Sequence, residues 1–376
     1  MLTPDQVSGL QILFERLTDP VSEYLIRDIA RRIQEAGQMT STAAYQAYKL
    51  QTLGKTMSEI QEQIALLLSV SADQAAEIIQ AAAEYGYNLD ADRLGGSVSF
   101  ADNVHAQQVT DAAVKLARRD LTNITQTIGF AVGKRGENLT SAYERAMDFA
   151  FMQVSTGATD YNTAIRRACA GLVRDGIQQI DYESGRYATL EVAARRNLMS
   201  TMGNAVNQIT QRNHDDMGAD GWEIDAHSNS APDHEPIQGK QYSDAEFERL
   251  NRSLVRPIGT LNCGHNAIPI ILGVSEPQYA ASELRKMRTD NAKGVTYEGR
   301  EFASMYEATQ YQRRIERAIR AQKRRMWTAT PDNEQDEKIR LRALQSEYRR
   351  FSSAVNLRTE EERLYARGVP RIKKKK

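Results

Sequence analysis

The sequence predicts a mainly α protein with a small α+β module, set between an elongated helical N-terminal region and a basic helical C-terminal tail. Three observations predict it. Long stretches place apolar residues at helical spacing behind capping signals. Between about 217 and 300 that spacing gives way to alternation and to proline and glycine punctuation. The charge is also polarised. Residues 1–100 hold 7 basic and 13 acidic side chains and residues 301–376 hold 20 basic and 11 acidic, in a 376-residue chain of zero net charge. That length predicts more than one core. The breaks suggest an acidic helical region over 1–100, a helical domain over 101–216, the module over 217–300, and a basic helical tail over 301–376 with a disordered end.

Taken in order, Thr3, Pro4 and Gln6 form a capping-box start with proline at the first helical position. Leu10, Leu13, Phe14 and Leu17 continue its apolar stripe. Pro20 restarts the helix with Asp19 as cap. Thr56 with Glu59 opens a helix carrying Ile60, Ile64, Leu67 and Leu68. Ser71 with Gln74 opens another, which Gly86 ends, and Gly95–Gly96 is a break. A helical block follows from about 102 to 216. Within it GKRGEN (133–138) is a turn, 139–156 and 161–174 are amphipathic, and a long helix begins near Leu190. Trp222, Ile224 and Ala226 alternate as a strand. Residues 243–254 form a short helix, and 267–272 form a strand that Pro269 confines to an edge. Val295–Tyr297 is a third strand. Helix returns from about 301, with Ile315 and Ile319 on one stripe, and a last helix runs from TPDNEQ to about 350.

Several classes are excluded or disfavoured. Two cysteines cannot build a disulfide framework, and Cys169 in a helical pattern is not placed to pair with Cys263 in a loop, so a reducing compartment fits. MLTPDQ has no signal-peptide pattern. The longest apolar runs, Ile64–Leu68 and Ala267–Leu272, are too short to span a bilayer. Phosphate-loop, GxSxG, HExxH and GxGxxG motifs are absent. Asp181, Glu183 and Arg186 read as a capping and salt-bridge group. Lys134 and Arg135 fit an exposed turn as well as a phosphate contact.

The chemistry concentrates between Trp222 and Ile271. Three of the five histidines and one of the two cysteines lie there. His227, His234, Cys263 and His265 are all zinc-ligand types, with Asp233 as a substitute, although the spacing matches no familiar zinc finger. The plain alternative is a loop-rich core pinned by hydrogen-bonding histidines. His234, Asn262 and His265 also fit loosely a metal-dependent nuclease, in which a histidine activates water. Arg313, Arg314, Arg317, Arg320, Lys323, Arg324 and Arg325, with Lys373–Lys376, could contact phosphates. A solvated helix face partly neutralised by Glu316 explains them equally well.

These residues carry a resemblance. HSNSAPDHEPIQGKQYS followed by GTLNCGHNAIPIILGVS is similar to the second minor capsid protein family of tailed phages, related to MuF-like head morphogenesis proteins. The shared positions are His227, His234, Gln238, Gly239, Lys240, Tyr242, Ser243, Asn262, Cys263 and His265. Residues 159–186 and 190–201 are similar too, so the resemblance covers most of 1–320 and makes 217–300 the MuF-like module. The MuF-like pattern carries further cysteines, whereas Cys263 stands alone. The resemblance implies a structural, non-enzymatic virion protein that assembles in the host cytoplasm. It would act inside the capsid or at the portal vertex, as an oligomer there, against portal or major capsid protein and packaged double-stranded DNA. No cofactor is required, and a structural zinc at the His/Cys island is the alternative that the lone cysteine weakens. The other reading is a metal-dependent nuclease or hydrolase using that island.

Overall fold

The computed structural model describes residues 4–39, 41–96, 98–132, 135–157, 161, 163–164, 167–169, 177–180, 187–259, 263–329, 331–367 and 369. Helix α1 (Pro4–Arg16) and α2 (Asp19–Gly37) meet at Thr18, with Pro20 in the first turn of α2, where its missing N–H costs nothing. Helix α3 (Thr42–Gln51) is capped by Ser41, whose side chain accepts the Ala44 N–H. It continues through a kinked turn at Gly54 into α4 (Met57–Leu94), which is 38 residues long. The break expected at Ser71 does not occur. Its hydroxyl donates to the Leu17 and Leu67 carbonyls, tying α4 to the end of α1 instead of capping a new helix. Gly86 is likewise helical, and α4 ends at Gly95, whose φ of +73° is the left-handed closure that glycine adopts without strain. By length and composition alone this continuous helix is long and apolar enough to cross a bilayer. Its Ile60, Ile64, Leu68, Ala75 and Ile79 are instead spent on the core.

Helix α5 (Val104–Thr127) begins at an Asn103 cap and leads into strands absent from the sequence reading. Strand β1 (Ile128–Val132) pairs with β2 (Arg135–Asn138), α6 (Leu139–Ser155) follows, and β3 (Ile177–Ile180) and β4 (Tyr187–Thr189) complete an antiparallel sheet of order β2-β1-β3-β4. The block from 102 to 216 is therefore not wholly helical. Strands of three to five residues are too short to show a clear period of two. Helix α7 (Leu190–Asp216) begins where expected. Helices α1, α2 and α4–α7 share one apolar core across residue 100, with Tyr143, Phe14, Phe130 and Ile33 fully buried in it.

The module begins at β5 (Gly221–Ile224), the centre of a sheet of order β6-β5-β7 with β6 (Gln241–Ser243) and β7 (Ala267–Ile270). Pro269 sits opposite Trp222 on edge strand β7, where a missing donor is tolerated. Helix α8 (Asp244–Ser253) starts at a Ser243/Glu246 capping box, and α9 (Ala281–Asn291) follows β7. Trp222, Ile224, Ile258, Cys263 and Ala267 form the module's own small core. Trp222 stacks on His214 of α7 at 4.6 Å between ring centroids, and His214 Nε2 lies 2.9 Å from Asp244 Oδ1, so α7 and the module are joined.

Strand β8 (Val295–Tyr297) does not join the module sheet. It pairs with β9 (Arg300–Phe302) as a hairpin. The hairpin packs on helices α10 (Met305–Arg325) and α11 (Glu334–Ala354) around Ile319, Leu341, Tyr348 and Phe351. Part of the end expected to be disordered packs as well. Ala366 is buried, and the Arg367 carbonyl accepts the Trp327 indole N–H at 2.8 Å. Lys373–Lys376, Asp181, Glu183, Arg186 and Lys134 lie outside the described residues.

Candidate functional site

Three elements bring the histidines and the cysteine together. His227 follows β5, His234 lies in the turn-rich segment before β6, and Cys263 and His265 lie just before β7. His234 and His265 are each 2% exposed and Cys263 is 8% exposed. Their donor atoms lie within 4.8 Å of one another, with Cys263 Sγ 3.3 Å from His234 Nδ1 and 3.7 Å from His265 Nδ1. His227 is brought near but is not one of the three. Its ring stacks on His265 at 4.2 Å, and its Nδ1 faces the Ser228 carbonyl.

The tautomers follow from the neighbours. His234 Nε2 lies 2.8 Å from the Arg256 carbonyl, which can only accept, so the proton is on Nε2. His265 Nε2 lies 2.9 Å from Gln238 Oε1. The His227 backbone N–H donates to that same oxygen, which fixes the orientation of the amide and makes His265 Nε2 a donor too. Both Nδ1 lone pairs are thus left facing Cys263 Sγ. Burial, and then His227 and His234, push the His265 pKa down to about 2, so its imidazole is neutral. Burial raises the Cys263 thiol, opposed by the His265 backbone N–H.

A single S–H cannot serve two lone pairs, so the protein alone leaves this buried trio one donor short. A cation bound by a thiolate and two neutral imidazoles removes the deficit. The distances fit such a site. Tetrahedral bonds of about 2.3 Å to sulfur and 2.0–2.1 Å to nitrogen place the two donor atoms about 3.5 Å apart, between the two separations found. The Arg256 carbonyl and Gln238 would then be the outer oxygens that orient metal-bound histidines. The N₂S donor set suits zinc.

The family-motif residues also acquire roles. Gln238 holds His265. Gly239 has φ +68°, the left-handed region that favours glycine, and a Cβ there would also have to displace the Leu284 side chain. Lys240 works through its backbone, its carbonyl accepting the Ile224 N–H at 3.1 Å. Tyr242 donates to the Ile237 carbonyl and Ser243 caps α8. Asn262 lies outside the described residues. Ser230 and Arg256, which the sequence reading missed, carry no signal beyond their place in the loop.

The basic helix needs a correction. Arg320, Lys323 and Arg324 are buried, so they are not on a surface available to DNA. Arg324 pairs with Glu191 of α7. Arg320 lies 3.6 Å from Glu15 of α1 and 3.8 Å from Glu191, and Lys323 donates to the Leu364 carbonyl. Asp19 and Arg195, which pairs with Glu15, complete this internal network. Periodicity could not reveal it, because the carboxylate partners of Arg320 and Arg324 are more than a hundred residues away in sequence. Arg313 is half-buried against Glu316 and Glu360, and Arg325 is half-buried, while Arg314 and Arg317 remain exposed.

A helical protein that clamps a small His/Cys module between two helical units is built as a scaffold with one chemically distinctive centre. The phage minor capsid protein 2 family profile matches residues 2–352, nearly the whole chain. The protein belongs to that family and is accordingly a virion component that associates with other parts of the phage head. No curated protein and no solved structure matches the chain.

Proposed function

We propose that the protein is a structural element of head morphogenesis that sits at the portal vertex or inner capsid face. It contacts portal or major capsid protein there and faces packaged double-stranded DNA. The observation that carries the structural reading is the family match over both helical units and the module together. The charge layout supports the placement. Acidic side chains dominate the first hundred residues, and after the internal network has consumed Arg320, Lys323 and Arg324, the exposed Arg314, Arg317, Arg342 and Arg349 remain for phosphates. Each phosphate contact contributes about 0.9 to the slope of log affinity against log salt. The double variant Arg314→Gln/Arg317→Gln should therefore lower that slope by about 2 in binding to duplex DNA. A parent slope near zero would remove DNA from the account. Co-sedimentation with assembled portal tests the protein contact, and free sedimentation of the chain would contradict it.

In the same proposal, zinc held by His234, Cys263 and His265 pins the module's loops. A metal-dependent hydrolase is the second reading, favoured because the trio borders a cavity instead of being closed over. Metal-dependent phosphodiester cleavage that is lost in a folded His234→Ala variant would establish it. Equal background rates in parent and variant would dismiss it.

A further inference from the structure

The trio forms part of the wall of a cavity of about 820 Å³. The opposite wall comes from α10, the segment at 357–363 and the first turns of α1, so the space lies between the module and the two helical units. Four arginines line it, Arg256, Arg313, Arg358 and Arg363, against a single lining acidic residue, Glu360.

The charges do not cancel. Arg256 is paired with Asp233, Arg313 with Glu316 and Glu360, and Arg363 with Glu360. Four guanidiniums therefore share three carboxylates, Asp233, Glu316 and Glu360, which leaves one positive charge in excess. Arg358 makes no ion pair within 4 Å among the described residues, and its charge acts, with those of Arg363 and Arg313, on the one shared carboxylate Glu360, so the excess belongs to this cluster. The Arg358 backbone is fixed nonetheless, because its carbonyl accepts the Gln312 side-chain N–H at 3.0 Å. A divalent cation bound to a Cys263 thiolate would add one further net positive charge on the facing wall.

The rest of the lining is amphipathic. Val7, Met287 and Leu357 are apolar, and Tyr306 adds an aromatic ring. Cavities of roughly 300–1,000 Å³ accommodate ligands of the size of a cofactor or drug. Excess guanidinium charge selects an oxyanion, and guanidinium geometry matches phosphate. An apolar wall beside it selects an anion carried on an organic body.

We infer that this cavity binds a phosphate monoester of mononucleotide size, with its phosphate at Arg358 and its neighbouring arginines and its body against Tyr306, Met287 and Leu357. The metal reading enters only as a second anchor for a phosphate oxygen. The arginines and the volume carry the inference by themselves.

Calorimetric titration of the full chain with AMP, inorganic phosphate and adenosine tests it, with zinc content measured on the same samples. AMP should bind at least tenfold more tightly than adenosine and more tightly than inorganic phosphate. Arg358→Gln, an exposed position whose loss leaves the fold intact by circular dichroism, should weaken AMP at least tenfold and leave adenosine unchanged. A zinc-bearing protein that binds AMP no better than adenosine, or an Arg358→Gln variant that binds AMP as the parent does, overturns the inference while the metal centre stands. A zinc-free protein that still prefers AMP supports the inference and removes the metal centre. In a parallel titration a hexaglutamate peptide should bind more weakly than AMP, and tighter binding of that peptide would make the site a carboxylate site and overturn the assignment to phosphate.

Discussion

Glu191 is the most sensitive point in the joint between the N-terminal core and the C-terminal helices. It pairs with Arg324 and lies 3.8 Å from Arg320, and the Glu191 and Arg324 side chains are only 11% and 10% exposed. Burial lowers the Arg324 pKa, opposed by Asp19 and Glu15, so these counter-charges offset the desolvation of a guanidinium that stays charged. Breaking a buried pair from one side costs about 3–5 kcal/mol, because the remaining charge is left in a poor solvent. Glu191→Ala leaves Glu15 and Asp19 as residual partners, which places the loss near the lower figure, about 3 kcal/mol. Arg324→Met should cost a similar amount, since Glu191 keeps only the longer contact to Arg320. In the double variant neither charge remains, and it should recover at least ~2 kcal/mol of the summed losses. Urea unfolding followed by tryptophan fluorescence reads this directly, because Trp327 follows α10 and donates to the Arg367 carbonyl. Single variants costing less than about 1 kcal/mol, or a strictly additive double variant, would refute the reasoning.

Further outcomes follow from the same geometry. Gln238→Leu removes the oxygen that holds the His265 tautomer and should weaken metal binding about 10–100-fold in a chelator competition, with the helical content unchanged. Unaltered affinity would show that Gln238 does not position the ring. Burial raises Asp19 from 3.8 to about 6, outweighing Arg324, Arg320 and Arg16, so the folded chain holds this proton more tightly than the unfolded chain. Its stabilising contribution is complete below about pH 4 and is lost as the pH rises through 6. At about 1.4 kcal/mol per pH unit over some two units, Asp19→Asn should gain about 3 kcal/mol on the parent across that window. Parallel pH profiles would contradict this.

Much of the helical frame was legible because capping chemistry and apolar spacing are local. Pro4, Gly95, Ser243 and Leu190 mark boundaries where the sequence placed them, and Trp222, Ile224 and Pro269 identify β5 and an edge strand. Ser71 misled because a serine that bonds back to a carbonyl within a helix has the same local pattern as one that starts a helix. The sheet β2-β1-β3-β4 was missed because its pairings, such as Phe130 with Ile177, are long-range while its strands are short. At the site, residue rarity pointed to side chains that the fold brings together. Only distance could separate His227, which stacks, from the three whose lone pairs converge. The outer contacts were illegible, since one is the main-chain carbonyl of Arg256 and another is an amide whose partner lies 27 residues away. The basic helix shows the converse limit, because a run of arginines on one helix carries no label saying which will find carboxylates inside.

The measurement that bears most directly on the His/Cys centre is elemental analysis of the purified full chain and of Cys263→Ser, together with the visible spectrum of the cobalt-substituted protein. The geometry predicts about one zinc per chain, a thiolate-to-cobalt charge-transfer band, and the loss of both in a Cys263→Ser chain that retains its helical content. A folded parent chain with no bound metal and no such band would contradict it, and would leave His234, Cys263 and His265 as a hydrogen-bonded lock.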